Sequence, residues 1–161
     1  MSNRYLKIYL NDHLAGAVAG VELAKRIAGN NKGTEFEAEI ESLRNDIEED
    51  RDELMRLMNR LDIPQNPIKQ PASWLAEKVG RLKLNGRLTG YSPLSRVVEL
   101  EGLSLGVEGK AGMWRSLKKL RPALGEVDES WLGSMLTKAM DQRERVEKLR
   151  LRAVEILAEE G

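Results

Sequence analysis

The chain has 161 residues, 41% apolar and 32% charged, which is the size of one domain with enough apolar residue for a core. Its 26 Lys+Arg balance 26 Asp+Glu, so bulk charge argues against a dedicated nucleic-acid binder. It has no Cys and one His, which excludes disulfides, thiolate metal sites, Cys nucleophiles and any multi-His metal site within one chain.

No apolar run of about 18 residues occurs, so no membrane span is expected. The opening MSNRYLKIYLND lacks the apolar core of a signal peptide, and a cytoplasmic chain is the expectation. Apolar residues recur every three or four positions, the period of a helix, and nothing alternates as a strand would.

The first helix is predicted from about Asn3 to Ala28, with Leu6, Leu10, His13, Ala17, Val21, Ala24 and Ala28 inward. Gly29 to Thr34 reads as a turn with Thr34 as N-cap. The second helix is predicted from about Glu35 to Leu61, on the stripe Phe36, Ile40, Leu43, Ile47, Leu54, Met58 and Leu61. Residues 62–92 form a crossover holding three of the five prolines and a short helix over Ser73–Leu88. A fourth helix, from about Pro93 to Leu120, starts on a residue suited to a first turn. The last, from about Asp128 to Ala158, starts on an N-cap Asp. The plan is all-α: an antiparallel four-helix bundle, hairpin 3–61 and hairpin 93–158, joined by the crossover.

Polar residues interrupt the inward stripes at mid-length. His13 lies between Leu10 and Ala17. The run Glu48 to Glu53 holds no apolar residue, so Asp50 and Arg51 occupy or flank the core face. A first hairpin turning near residue 31 puts His13 opposite Asp50. Glu101 and Glu108, seven apart, share a face with Leu94, Val97, Val98, Leu105 and Ala111, which leaves Glu99 and Lys110 on the opposite face. Arg143 falls between Ala139 and Val146, with Gln142 at the stripe's edge. Together these residues read as one mid-bundle polar layer, a structural ion-pair network. The alternative is a metal site of His13, Asp50, Glu101 and Glu108, whose mixed nitrogen and oxygen donors suit iron or manganese.

Glycines recur along two helices, Gly16 and Gly20 on the first and Gly102, Gly106 and Gly109 on the fourth. Close helix approach is the commoner reason for such spacing, and room for a ligand the other. Residues 34–62 carry eleven acids and four Arg, a net of −7, and residues 63–98 carry six bases and one acid, a net of +5. Lys78, Arg81, Lys83 and Arg87 make a basic surface on the crossover helix. With overall neutrality, this surface reads as a dock for the acidic second helix of its own or a sister chain rather than for nucleic acid. No phosphate-binding loop, dinucleotide fingerprint or nucleophile elbow is present.

A bundle of two antiparallel pairs with carboxylates and a His mid-helix resembles the ferritin-like superfamily. The segments Tyr5–Gly16, Gly90–Ser95 and Glu99–Leu103 also resemble a family of uncharacterised bacterial proteins. The ferritin-like resemblance implies carboxylate-bound metal held by Glu residues and Glu-x-x-His pairs, and this sequence contains no Glu-x-x-His. The sequence therefore points to a non-catalytic bundle without a cofactor, acting as a homo-oligomer or protein-partner module, with metal handling as the alternative.

Overall fold

A computed structural model describes residues 3–66 and 90–160. Four helices make up almost all of it: α1 (Asn3–Asn30), α2 (Glu37–Arg60), α3 (Pro93–Leu120) and α4 (Glu129–Glu160), with a 3-10 turn at Arg121–Ala123. No strand occurs among the described residues, and no helix there is long and apolar enough to cross a membrane. The expected crossover helix and its cations Lys78, Arg81, Lys83 and Arg87 lie outside the described residues.

The boundaries follow local chemistry. Ser92 Oγ accepts the Ser95 N–H at 3.1 Å, and Pro93 then occupies the first turn of α3, where its missing donor is not needed. Asp128 Oδ1 accepts the Ser130 N–H at 2.8 Å ahead of α4. Thr34 accepts the Phe36 N–H at 3.2 Å, but α2 begins two residues later than expected, at Glu37. Gly33, with φ of 75°, takes the left-handed turn that the connection requires.

α1 packs on α2 and α3, and α3 packs on α4. Across the α2–α4 seam, Glu35 meets Arg152, Glu39 and Asp46 meet Arg145, and Glu49 meets Lys138. Residue numbers rise along α2 as they fall along α4. The same reversal relates α1 to α3, through Arg26–Glu99 and the approach of Leu23 to Gly102, and α3 to α4, through Glu101–Arg150 and Glu108–Arg143.

The core is two apolar clusters, one at each end of the bundle. One gathers Leu10, Leu14, Leu54, Leu57, Ala111, Trp114, Leu117, Leu132 and Ala139. The other gathers Val21, Ile27, Phe36, Leu43, Ile47, Leu100, Leu103 and Val146. Burying each large side chain stabilises the fold by about 1.5–3 kcal/mol. Between the clusters polar and small residues interrupt the apolar stripes, with Val107 of α3 the buried apolar exception. There α2 supplies Asp50, α3 Lys110, α4 Gln142, and α1 only its two glycines, Gly16 and Gly20.

Candidate functional site

The mid-bundle level contains a buried network. Asp50 is 3% exposed and Gln142 1% exposed. Asp50 Oδ2 accepts from Lys110 Nζ at 2.6 Å and from Gln142 Nε2 at 2.7 Å, and Lys110 Nζ donates again to Gln142 Oε1. Lys138 Nζ stands 3.3 Å from Asp50 Oδ1. Burial pushes the Lys110 ammonium below its ordinary pKa, against the opposing pull of Asp50.

This network corrects the expected polar layer. Asp50 and Gln142 belong to it, but Lys110, expected on the outer face of α3, is its central donor. Glu99, placed outward with Lys110, is also inside, at 1% exposure. Glu101 and Glu108 turn outward instead: Glu101 meets Arg150 at 3.6 Å, and Glu108 meets Arg115 at 3.0 Å and Arg143 at 3.2 Å. The Arg115 hydrogen bond holds the Glu108 carboxyl below the usual range. Arg143, expected in the stripe, is exposed, and Arg51 is half-buried against Asp52.

α3 misled the pattern because it carries apolar residues on most of its circumference, with Leu105 71% exposed. The spacing Leu103, Val107, Lys110, Trp114, Leu117 is itself a regular alternation of four and three, and it would have placed Lys110 inward.

His13 does not pair with Asp50. It is half-buried, stacked edge-on against Tyr9 with ring centroids 4.6 Å apart, and Leu14 takes the core position beside it. Burial lowers its pKa, and Asp12 pulls the other way. Asn11, which the stripe analysis passed over, is the buried polar residue of this part of α1. It donates to the carbonyls of Lys7 and Pro64 and accepts from the Asn66 N–H, which ties the exit from α2 to α1. Among the described residues no three His, Asp or Glu side chains converge to hold a metal ion. Asp50, Glu101 and Glu108 are each engaged by cations instead.

Beside the network lies a cleft of about 520 Å³ between α1 and α3, with Ile47, Asp50, Arg51 and Leu54 of α2 at its floor. Its glycines overturn the close-packing expectation. A Cβ added at Gly16, Gly20, Gly106 or Gly109 would meet nothing within 4 Å, and only Gly102 approaches a neighbour, Leu23 Cδ2 at 3.4 Å. The level set by Arg26–Glu99 and Leu23–Gly102, carried along the helices, puts Gly16 level with Gly109 and Gly20 level with Leu105, next to Gly106. All four glycines border open space.

The walls are mainly apolar: Leu23, Ile47, Leu54, Val98, Leu103 and Met113. Three buried polar atoms belong to lining residues and lack a hydrogen-bond partner: the Trp114 indole N–H, Glu99 Oε2 and Asp50 Oδ1, the last 3.3 Å from Lys138 Nζ. Glu99 sits at the far end, where Oε1 accepts from Arg26 at 2.9 Å and burial raises its pKa above the carboxylate range. The neighbouring Tyr91 hydroxyl, which Asn31 contacts at 3.2 Å, is pushed up by burial and by Glu99.

Comparisons with protein-family models, with curated proteins and with solved structures found no match.

Proposed function

We propose that the protein is a cytoplasmic, non-catalytic four-helix bundle of ferritin-like, antiparallel plan, and that the α1–α3 cleft is a binding site for an apolar small molecule. The reversed residue numbering across all three of these helix seams supports the antiparallel plan. The single observation that carries the binding role is the furrow lined by Gly16, Gly20, Gly106 and Gly109, whose missing side chains leave volume rather than contact. Interior glycine costs a helix about 0.5–1 kcal/mol relative to Ala, so four of them without a packing return fit a role other than stability.

The volume falls in the range of ligand pockets, which are typically apolar with a few convergent polar groups. The Asp50–Lys110–Gln142 network has a structural part in this reading: it fixes three helices at the level where α1 stands away from α3. The carboxylates of the metal alternative are held by Lys and Arg, so the geometry favours binding over metal handling.

Decanol titrated calorimetrically into the protein and into Gly20→Leu tests the proposal. Saturable binding that weakens at least tenfold in the filled variant, with helicity retained, is expected. Absence of saturable binding, or binding that survives the filling, would refute it.

A further inference from the structure

The inference concerns the chemistry of the ligand's head, and it rests on the cleft being a binding site. The cleft is long rather than round. It runs from Asp12 to Leu23 along α1, roughly 16 Å at the helical rise. Its two ends differ in what they leave unsatisfied.

At the end near Asp12, Trp114 and Lys110 hold uncommitted donors, and the one acceptor without a hydrogen bond, Asp50 Oδ1, stands 3.3 Å from the Lys138 ammonium. Trp114 is fully buried and its indole N–H has no partner. Lys110 precedes it by one helical turn on the same face. An ammonium has three protons, and Lys110 commits two, to Asp50 and Gln142. Lys110 and Lys138 both stand against the one buried carboxylate of Asp50. Lys138 is also shared with the exposed Glu49. Asp12, at the mouth, is exposed.

At the other end the lining groups are carboxylates. Glu99 pairs with Arg26, and Glu101 with Arg150. The unsatisfied atom there is an acceptor, Glu99 Oε2. An anionic head would meet carboxylates already paired with Arg at this end, and two uncommitted donors at the other. Between the two lie Gly16, Gly20, Gly106 and apolar walls, with nothing to hydrogen-bond a chain.

We propose that the cleft takes an apolar chain ending in a carboxylate, with the carboxylate received by the Lys110 ammonium and the Trp114 indole N–H and the chain lying along the glycine furrow toward Glu99. A buried donor left unpaired costs about 1–3 kcal/mol, and an arriving acceptor removes that cost. A carboxylate can accept from both donors at once.

The test compares three probes sharing one chain: decanoic acid, decanol and decylamine, titrated calorimetrically at neutral pH. The expected order is acid, then alcohol, then amine, with the acid at least tenfold tighter than the alcohol. Trp114→Phe keeps the ring and removes the donor, and it should narrow the acid-to-alcohol ratio several-fold. Lys110→Met should narrow it further, with circular dichroism reporting whether the fold survives the loss. Gly20→Leu should weaken acid and alcohol alike.

An amine or alcohol that binds as tightly as the acid would overturn the head assignment while leaving the cleft intact. So would an acid preference untouched by Trp114→Phe. If no probe binds, the cleft reading fails and this inference with it.

Discussion

The α2–α4 seam and the α1–α3 seam cross the same level of one bundle and are closed in opposite ways. Along α2–α4, Arg152, Arg145 and Lys138 reach across to Glu35, Glu39, Asp46 and Glu49. Along α1–α3, an ion pair closes one end, Arg26–Glu99, and below it Gly16, Gly20, Gly106 and Gly109 border an open cleft. A seam closed by charge adds register. A seam held open by absent side chains adds volume, and it depends on its neighbour for rigidity. The buried Asp50–Lys110–Gln142 network joins the two, since it ties α3, one wall of the cleft, to the closed seam.

The largest effect should come from breaking that joint. Asp50→Ala leaves Lys110 buried without its carboxylate, which costs about 3–5 kcal/mol. At 2–4 °C per kcal/mol for a chain of this size, the thermal midpoint should fall by roughly 6–20 °C. The double variant Asp50→Leu/Lys110→Met should recover most of the loss, because removing both charges abolishes the unpaired state. Thermal denaturation of the three proteins checks this.

Replacing Gly16, Gly20, Gly106 and Gly109 together with Ala sharpens the comparison with the opposite sign. Each substitution restricts the unfolded chain and meets open space, so each should stabilise by about 0.5–1 kcal/mol. Urea denaturation should show a summed gain of about 2–4 kcal/mol by the same reckoning. A loss would mean that these glycines serve close packing after all. The same variant should bind decanol more weakly, since its side chains occupy the cleft.

The charged seam should be uneven along its length. Arg145 is largely buried and reaches Glu39, Asp46 and Ser42. Its truncation should cost about 1–2 kcal/mol, the scale of a partly desolvated charged hydrogen bond. Arg152→Ala, on an exposed pair with Glu35, should cost less, and added salt should abolish the difference.

The smallest effect is a pH dependence at the closed end of α1–α3. Burial holds Glu99 above the ordinary carboxylate pKa, so the folded chain keeps this proton to higher pH than the unfolded chain. Stability from this group is full below the unfolded value, about 4.3, and is lost as pH rises through the folded value. Glu99→Gln should remove that decline, seen as a flatter curve of unfolding free energy against pH above the carboxylate range.

How much of this was legible in the sequence depended on which helix carried it. α3 was placed at Pro93 and Leu120 because prolines at 93 and 122 bound it, the first suited to a helix's opening turn. Asp50 was legible because a run of charged residues in a helix must put one of them inward. Lys110 and Glu99 were not, because apolar residues surround α3 and give no single stripe to read. His13 was placed opposite Asp50 by a hairpin register that assumed a turn centred near residue 31. Asp50 instead meets donors from α3 and α4, which the first hairpin alone could not reveal. The glycines were visible, but spacing alone does not tell a contact from a void, and only the position of the facing helix decides it.

The most direct test of the central claim is an amide nitrogen–proton NMR titration with decanol, because glycine amides fall in a sparse region of the spectrum. The account predicts that Gly16, Gly20, Gly106 and Gly109 shift together and saturate, while Gly29, Gly33 and Gly125, away from the cleft, stay still. Unmoved furrow glycines, or shifts centred on the exposed Tyr5 and Ile8 of α1, would contradict it.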